Sequence, residues 1–385
     1  MPSLPVLVDA TSIPPNRGGV ARYIAGLLRG LAELDTSVSV VVKREDLAWL
    51  RGEAPGHRYH PAPAAVSIRP VRLLWEQLVL PLVVLRTRSR VLHSPHYTFP
   101  IVSARRTVVT LHDATFFSDP AAHGRLKRTF FRRWSTLART RSAATVTPSA
   151  ATASEIDRFV GTTPVPNVVA HLGVDAAVFH RPTPADLQAF RSAHRIDPST
   201  GWIAFLGTVE PRKQVGSLIT AHERLSAHAA TGTAAAGTQP GVPPLLVAGG
   251  LGWDREARGR LERAGDRPGS PVRYLGYLPV DELRSLLGGA DVVAYPSIGE
   301  GFGLPVLEAM ACGAAVLTTD RLAIPEVGGD AVAYVEPTAT GIEAGLRDLL
   351  DDTDRRDALG SAAESRARTF DWAACARVHV EVFTR

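Results

Sequence analysis

Short apolar segments alternate with helical patterns through the second half of this 385-residue chain, and this alternation constrains the fold more than any other feature. Six segments have the length and apolar composition of buried strands: 202–207, 245–248, 272–275, 291–295, 315–318 and 332–335. Helical patterns lie between most of them, which is typical of a parallel sheet covered by helices on both faces. This half is therefore predicted to be an α/β domain.

The first half repeats this pattern less clearly. Its candidate strands are residues 6–8, 38–42, 107–111, 145–146 and 168–170. Both halves open with a strand, a glycine-bearing loop and a helix, and 385 residues exceed one ordinary domain. We therefore predict two Rossmann-like, doubly wound domains.

The domain bounds follow from breaks in the pattern. The first domain is predicted to cover 1–180 and the second 195–365, with a linker near 178–195 where Pro182 and Pro184 occur. Residues 366–385 are predicted to form a C-terminal helix that packs back on the first domain. The Ala/Gly/Thr/Pro-rich run 227–244 is predicted to be a surface loop.

The segment 297–313 is the most informative stretch of the chain. An apolar run of strand-favouring residues at 291–295 is followed by a glycine-rich turn and then by a helix, with Pro305 at its first position and Gly313 at its end. Leu304 at the cap position gives the leading N–H groups no side-chain acceptor. A phosphate could accept those hydrogen bonds and would be stabilised by the helix dipole. The segment is therefore predicted to bind a nucleoside diphosphate.

Two carboxylates flank this turn. Glu300 precedes the helix and Glu308 lies within it, with seven residues between them. Carboxylates accept hydrogen bonds from sugar hydroxyls. Two glutamates at this spacing, taken alone, are more often a loop charge and a helix-surface charge. The neighbouring glycines, the proline and the missing side-chain cap favour a binding role.

These residues resemble the E-x7-E signature of the retaining glycosyltransferases of family 4, which have the two-domain GT-B fold. The resemblance implies that Glu300 lies near the donor sugar and phosphate, and that Glu308 binds the nucleotide ribose. It also implies that the backbone of Gly301, Phe302, Gly303 and Leu304 contacts the donor. Pro325-Glu326-Val327-Gly328-Gly329 follows the main motif as it does in the family, and the likeness extends over nearly the whole chain.

A basic pair follows the first strand of the second half. Arg212 and Lys213 end the segment 207–213, and their two charges match those of a nucleoside diphosphate. Alone, this pair is weak support for a site. The segment is similar to a second motif of the family, and the resemblance implies that the pair holds the leaving phosphate.

Three residues of the first half join the predicted site. His112 follows a candidate strand and is similar to a family histidine beside the donor sugar, although a single histidine is more often structural. Gly18 and Gly19 match a family glycine loop near the diphosphate, and a plain turn is an equal alternative on sequence alone. Because ligands bind at the carboxyl ends of parallel strands, the two domains are predicted to face an interdomain cleft.

Composition excludes several classes of protein. The two cysteines, Cys312 and Cys375, have neither disulfide nor metal-ligand spacing. The N-terminus lacks the pattern of a signal peptide, and the longest apolar run, 78–85, is too short to span a bilayer, so a cytoplasmic protein is expected. A net charge of +5 does not indicate nucleic-acid binding. Neither a metal nor a resident cofactor is expected.

One basic segment suggests a membrane contact. Residues 125–141 carry seven cations, with apolar residues at roughly helical spacing. The segment is predicted to be a helix that either lies on the inner face of the membrane or packs on the core with a solvated basic face; packing is favoured.

The residues and the resemblance together predict a metal-independent, retaining transferase that moves a sugar from a nucleoside diphosphate sugar to a glycan, lipid-linked or small-molecule acceptor. The resemblance slightly favours GDP-mannose over UDP-sugars. One alternative is a nucleotide-cofactor oxidoreductase, but the G-x-G-x-G spacing has Leu304 where a third glycine is expected. Another is a non-catalytic nucleotide- or glycan-binding protein of the same fold.

Overall fold

A computed structural model describes most of the chain, in four segments: residues 3–119, 124–231, 241–265 and 270–385. The chain divides into two compact units. Unit 1 contains Met1–Gly173 and Phe370–Arg385, and unit 2 contains Val174–Thr369.

Unit 1 is built on a seven-stranded sheet in which every pairing is parallel. Its strands are β1 Ser3–Asp9, β2 Ser37–Lys43, β3 Arg58–Ala62, β4 Val91–Ser94, β5 Thr107–Thr110, β6 Ala144–Thr147 and β7 Asn167–Val169. They are ordered β3-β2-β1-β4-β5-β6-β7. The β-branched residues of β1, β2, β5 and β6 are buried, as expected for a sheet covered on both faces.

Helices connect these strands. They are α1 Gly19–Glu33, α2 Arg44–Glu53, α3 Arg69–Leu78, α4 Leu80–Arg86, α5 Thr115–Ser118, α6 Arg125–Arg141 and α7 Ala150–Val160. A 3₁₀ turn at Ile101–Arg106 precedes β5.

Unit 2 contains a six-stranded parallel sheet in the order β10-β9-β8-β11-β12-β13. Its strands are β8 Ile203–Leu206, β9 Leu245–Ala248, β10 Val272–Gly276, β11 Val292–Tyr295, β12 Val316–Thr318 and β13 Ala333–Tyr334. Its helices are α8 Pro184–Ala193, α9 Val215–Thr231, α10 Arg255–Gly265, α11 Val280–Gly288, α12 Leu304–Ala311, α13 Ile324–Gly328, α14 Ala339–Asp351 and α15 Thr353–Ala367.

The last helix, α16 Trp372–Thr384, lies in unit 1. Trp372 packs directly over Gly26 and Gly30 of α1, and a Cβ atom at either glycine would overlap its indole ring or its backbone. The two glycines therefore allow α16 to approach α1 closely.

All six strands predicted for the second half are present, whereas β3 and β4 were not predicted. β3 contains a proline and a histidine, and β4 is only four residues long, so neither has a clear strand pattern. The prediction of a loop at 227–244 is wrong at its start, because α9 continues to Thr231. Residues 232–240 lie outside the described residues.

The segment predicted as a linker contains helix α8. Its start has a capping box, in which Thr183 and Asp186 bond each other's backbone N–H groups, and Pro184 lies in its first turn. Pro184 thus begins a helix here.

Among the described residues, no helix has both the length and the apolar composition needed to cross a membrane.

Candidate functional site

The strand order identifies where a ligand is expected in unit 2. Numbered from β8, the sheet has the order 3-2-1-4-5-6, and the direction of winding reverses between β8 and β11. In doubly wound sheets, ligands bind beyond the carboxyl ends of the strands at this reversal. The loops that leave β8 and β11 there carry the predicted residues 207–213 and 297–303.

The loop after β11 ends at the start of α12. Gly303 is the N-cap, in the left-handed region at φ 103°, and no side chain caps the helix. The cap is thus Gly303 where the sequence indicated Leu304, and Leu304 and Pro305 form the first turn. The predicted consequence is confirmed, since no capping side chain occupies the first N–H groups.

Glu300 is held by three groups. Its Oε1 atom accepts hydrogen bonds from the Tyr295 hydroxyl at 2.7 Å and the Ser297 hydroxyl at 2.9 Å, and it lies 2.5 Å from Arg212 Nη1. Burial raises the pKa of this carboxyl, but Arg212 and Lys213 outweigh burial and lower the pKa to about 2. Glu300 is therefore a fixed anion at neutral pH.

Arg212 is engaged within the protein. Besides Glu300, its guanidinium contacts Glu210 Oε2 at 2.8 Å and donates to the carbonyl of Gly299 at 2.5 Å. Burial lowers its pKa, but the two carboxylates and Tyr295 raise it well above the usual value. This arginine therefore braces the loop after β11 and orients Glu300.

Lys213 differs from its neighbour. The residue is 7% exposed, and its ammonium lies 5.5 Å from the centre of the Tyr295 ring. Among the described residues, no carboxylate forms an ion pair with it, and burial lowers its pKa. A Cβ atom at Gly207 would lie 2.8 Å from Lys213 Nζ, so glycine leaves room for the ammonium. Of the predicted basic pair, Lys213 is the cation not engaged by a carboxylate.

The remaining predicted residues of unit 2 line the same turn and helix. Glu308 is buried within α12, Phe302 is 4% exposed, and Gly301 and Leu304 are half-buried. The carboxylate of Glu308 also acts to raise the pKa of Lys213, against the larger effect of burial. Glu210, Tyr295 and Ser297, which hold Arg212 and Glu300, were not predicted as site residues. The one available signal was their position in the same two loops or, for Tyr295, at the end of the preceding strand.

In unit 1, the predicted glycines stand at a second helix start. Gly18 is the N-cap of α1, whose fifteen residues begin without a capping side chain. Gly19 is exposed, and a Cβ atom there would have no neighbour within 4 Å. The start of α1 thus has no side-chain cap, and Gly19 leaves open space beside it.

His112 follows β5 and has a defined tautomer. Its Nε2 atom lies 2.7 Å from the carbonyl oxygen of Pro95, which can only accept, so the proton is on Nε2 and Nδ1 is an acceptor. Burial lowers the pKa of the imidazole, against the opposing effects of Pro95 and Asp113. His112 is therefore a neutral side chain that can accept a hydrogen bond from a hydroxyl group.

Behind His112 lies a buried polar network that sequence reasoning missed. The Tyr23 hydroxyl lies 2.8 Å from Thr110 Oγ1 and 2.8 Å from His379 Nε2, and His93 Nε2 lies 2.9 Å from Thr110 Oγ1. The rings of Tyr23 and His112 meet edge to face, with centroids 4.9 Å apart. His379 lies in α16, so the network joins the last helix to the residues that support His112.

These buried histidines predict acid lability of unit 1. Burial lowers the pKa of His379 to about 4 and that of His96 to about 3, while their unfolded value is about 6.5. The unfolded chain therefore binds these protons more tightly, and stability falls as the pH drops below about 6.5. We expect His379 alone to cost about 2 kcal/mol of unfolding free energy between pH 7 and pH 5, measured by urea unfolding.

His379→Gln is the matched variant, because it removes one titrating group and should flatten this pH dependence. Equal stability of the wild type at the two pH values would contradict the burial of neutral histidines.

The basic segment 125–141 is helix α6, as predicted. Phe131, Trp134 and Leu137 pack against the core cluster of Phe99, Leu111 and Ile156. Arg132 donates to the carbonyl of Phe116 at 2.7 Å, and Arg139 is buried and pairs with Asp157 at 2.8 Å. This geometry supports the core-packed alternative for the helix.

Two family models match the chain in tandem. The model described as Glycosyltransferase Family 4 matches residues 17–178, and the model described as Glycosyl transferases group 1 matches residues 186–366. Between them they include most of the chain and every predicted site residue.

Curated relatives include two bacterial transferases. The chain is 29% identical over 293 residues to O-antigen chain mannosyltransferase B of Escherichia coli, covering 75% of this chain and 72% of that protein. It is 33% identical over 213 residues to a D-inositol 3-phosphate glycosyltransferase of Mycolicibacterium gilvum, covering 53% and 43%, respectively.

Solved structures match the chain over nearly its full length. Sucrose-phosphate synthase from Thermosynechococcus elongatus has a TM-score of 0.77 at 17% identity, with 100% of this chain and 98% of that chain covered. HepE from Anabaena, solved with UDP and glucose, has a TM-score of 0.75 at 18% identity, with 98% and 99% covered. With the two parallel sheets, these likenesses confirm the predicted two-domain GT-B fold.

Proposed function

Because this chain belongs to glycosyltransferase family 4, we propose that it transfers a sugar from a nucleoside diphosphate sugar to an acceptor hydroxyl, with retention of configuration. The main observation in support of the donor site is that Lys213 is buried and has no carboxylate ion pair among the described residues. A buried cation of this kind favours an anionic ligand, because the negative charge of the ligand replaces the stabilisation that water provides to an exposed ammonium.

The donor diphosphate binds between Lys213 and the start of α12 in this proposal. The N–H group of Leu304 has no capping side chain, Pro305 has no N–H, and the start of α12 adds the positive end of the helix dipole. Gly301, Phe302 and Gly303 supply the loop backbone, and Glu308 binds the ribose, as the family resemblance implies. For unit 1, the family resemblance implies that Gly18 and Gly19 lie near the diphosphate.

The reaction breaks the bond between the anomeric carbon and the β-phosphate oxygen and forms a bond from that carbon to the acceptor oxygen. The acceptor attacks the face that the phosphate leaves, and its proton passes to the departing phosphate. Lys213 stabilises the negative charge that develops on this phosphate. Glu300, held anionic by Arg212, accepts hydrogen bonds from donor-sugar hydroxyls, and His112 Nδ1 accepts one from a sugar hydroxyl.

We propose that the reaction needs no metal ion, since Lys213 and the helix dipole together oppose the diphosphate charge. Turnover that persists after chelation with EDTA would support this part of the proposal, and complete loss restored by a divalent cation would refute it.

GDP-mannose is the proposed donor, with UDP-sugars second. Several curated relatives are mannosyltransferases, and one similar structure contains UDP and glucose. The acceptor class proposed is a glycan, a lipid-linked glycan or a small molecule. Helix α6, residues 125–141, is not part of the proposed donor site. A membrane contact through α6 would use only its exposed cations, such as Arg133.

The test is thermal stabilisation against GDP, UDP, ADP, their sugar conjugates, NAD and NADP, because a ligand that binds only the folded state raises the melting temperature. A concentration of 100 times Kd stabilises by about 2.7 kcal/mol. We expect one nucleoside diphosphate and one of its sugars to stand out, followed by sugar transfer to an acceptor panel.

Two outcomes contradict the proposal. Stabilisation by NAD or NADP alone would indicate an oxidoreductase. Binding of a nucleotide sugar with neither transfer nor hydrolysis across the acceptor panel would indicate a binding protein of the same fold.

A further inference from the structure

An apolar surface on unit 1 is exposed where a folded domain normally presents polar residues. Among the described residues, nine of the sixteen large hydrophobic side chains that are exposed lie between positions 68 and 102. They are Ile68, Val71, Leu74, Leu78, Val79, Leu82, Leu85, Ile101 and Val102. We call this set the apolar face.

Helical spacing places most of these residues on one side of α3 and α4. Ile68, Val71, Leu74, Leu78, Leu82 and Leu85 follow one another at intervals of three or four residues. The opposite side is also apolar, since Trp75, Leu80 and Val84 pack on the core with Leu7 and Leu92. The helices are therefore apolar on both sides, unlike an ordinary surface helix.

The 3₁₀ turn at Ile101–Arg106 extends the same surface. Gln77 of α3 accepts a hydrogen bond from Ile101 N at 3.1 Å and donates to the carbonyl of Phe99 at 2.9 Å, which fixes the turn beside the helix. Between α4 and the turn lies a groove of about 810 Å³, lined by Leu85, Val102 and the arginines 105, 106 and 141 among others.

Residues 54–112 place exposed charges of one sign around the apolar face, and the exposed Glu45 beside Ser67 is already paired with Lys43 at 3.0 Å. Six exposed arginines lie around the apolar face, and none of them forms an ion pair among the described residues: Arg69, Arg86, Arg88, Arg90, Arg105 and Arg106. The single acidic residue between positions 54 and 112 is Glu76. Glu76 is fully buried, where Arg72 lies 3.1 Å from its Oε2 atom. The occupant of this surface must therefore be both apolar and anionic.

We propose that the apolar face docks unit 1 onto an anionic phospholipid surface, with α3 and α4 lying in the plane of the interface. The leucines enter the acyl region, and the arginine rim contacts lipid phosphates. A second copy of this chain fits poorly, because a two-fold contact would set the same arginines against each other with no exposed acid among residues 54–112 to pair them. This docking is independent of the proposed sugar transfer, and its site differs from the basic helix α6.

Vesicle flotation of the full chain tests the proposal. We expect binding to vesicles of phosphatidylcholine with phosphatidylglycerol, little binding to phosphatidylcholine alone, and weaker binding in high salt because the arginine contribution is screened. The variant Leu78→Gln with Leu82→Gln should bind at least about tenfold more weakly. Both side chains are more than half exposed, so the melting temperature should stay near that of the wild type.

The matched control is Leu126→Gln with Val280→Gln, which replaces two apolar residues elsewhere that are at least half exposed, one of them on α6. This variant should float like the wild type. The proposal is overturned if the wild type does not bind anionic vesicles, or if the control variant loses vesicle binding while the Leu78 and Leu82 variant retains it. A dimer in gel filtration that the Leu78 and Leu82 variant converts to monomer, without vesicle binding, would assign the apolar face to a second copy instead.

Discussion

Replacing Lys213 by methionine is expected to lower kcat/KM by about a hundredfold or more while leaving the protein as stable as the wild type, or more stable. Lys213 is 7% exposed and has no carboxylate ion pair among the described residues, and burial lowers its pKa against the opposing effects of Glu300, Glu210 and Glu308. A charge that is buried without a direct ion pair costs folding free energy, and an apolar side chain of similar shape removes that cost. The same change removes the cation that binds the donor diphosphate.

Three measurements check this expectation: kcat/KM for sugar transfer, the Kd for the nucleoside diphosphate found in the thermal screen, and the unfolding midpoint without ligand. Arg263→Met, which removes one exposed cation from α10 of the same unit, is the matched control and should change none of them. Wild-type diphosphate affinity in Lys213→Met would disprove the role of Lys213. A large fall in its unfolding midpoint would show that the lysine is structural.

Glu300→Gln is expected to reduce both activity and stability, in contrast to the lysine variant. The neutral amide leaves the largely buried guanidinium of Arg212 with Glu210 as its one carboxylate partner among the described residues. Breaking a buried ion pair of this kind costs about 3 kcal/mol, which corresponds to a fall of about 5–10 °C in melting temperature. Sugar transfer should fall by about a hundredfold or more, since the variant lacks the fixed anion beside the donor sugar.

A double-variant cycle with Arg212→Met isolates this interaction. If Arg212 acts through Glu300, the double variant should be less destabilised than the sum of the two single variants. The diphosphate Kd of Arg212→Met should also change less than that of Lys213→Met. Additive stability effects would contradict the coupling of Arg212 to Glu300. An equal loss of diphosphate affinity in Arg212→Met and Lys213→Met would show that Arg212 binds the ligand directly.

Arg212 and Lys213 show which features of the site the sequence predicts and which it does not. Arg212 and Lys213 are adjacent, and their charges predicted one shared role at a diphosphate. The structure separates them, because the guanidinium contacts Glu300 and the carbonyl of Gly299, which lie on a loop almost ninety residues later in the chain. Which of two neighbouring cations is already engaged depends on contacts between distant loops, and residue spacing does not encode those contacts.

The apolar run at 78–85 gives a second example. Its sequence excluded a membrane-spanning helix by length, but sequence could not distinguish a buried helix from an exposed one. In the fold, Leu80 and Val84 pack on the core while Leu78, Leu82 and Leu85 are exposed. The unusual feature is the exposure, which appears only when the sheet underneath is in place.

The sequence by itself determined the α/β class, all six strands of unit 2 and the uncapped helix after β11, because these depend on local periodicity, glycine and proline. It also determined that Glu300, Arg212 and Lys213 follow strands. Tertiary structure alone decided that Glu300 is held anionic by Arg212, and that Lys213 keeps no carboxylate ion pair among the described residues. It also decided that His112 rests on a network reaching His379 in the last helix. Ion pairing, burial and tautomer depend on which distant segments meet, and that is set by the order of strands in the sheet.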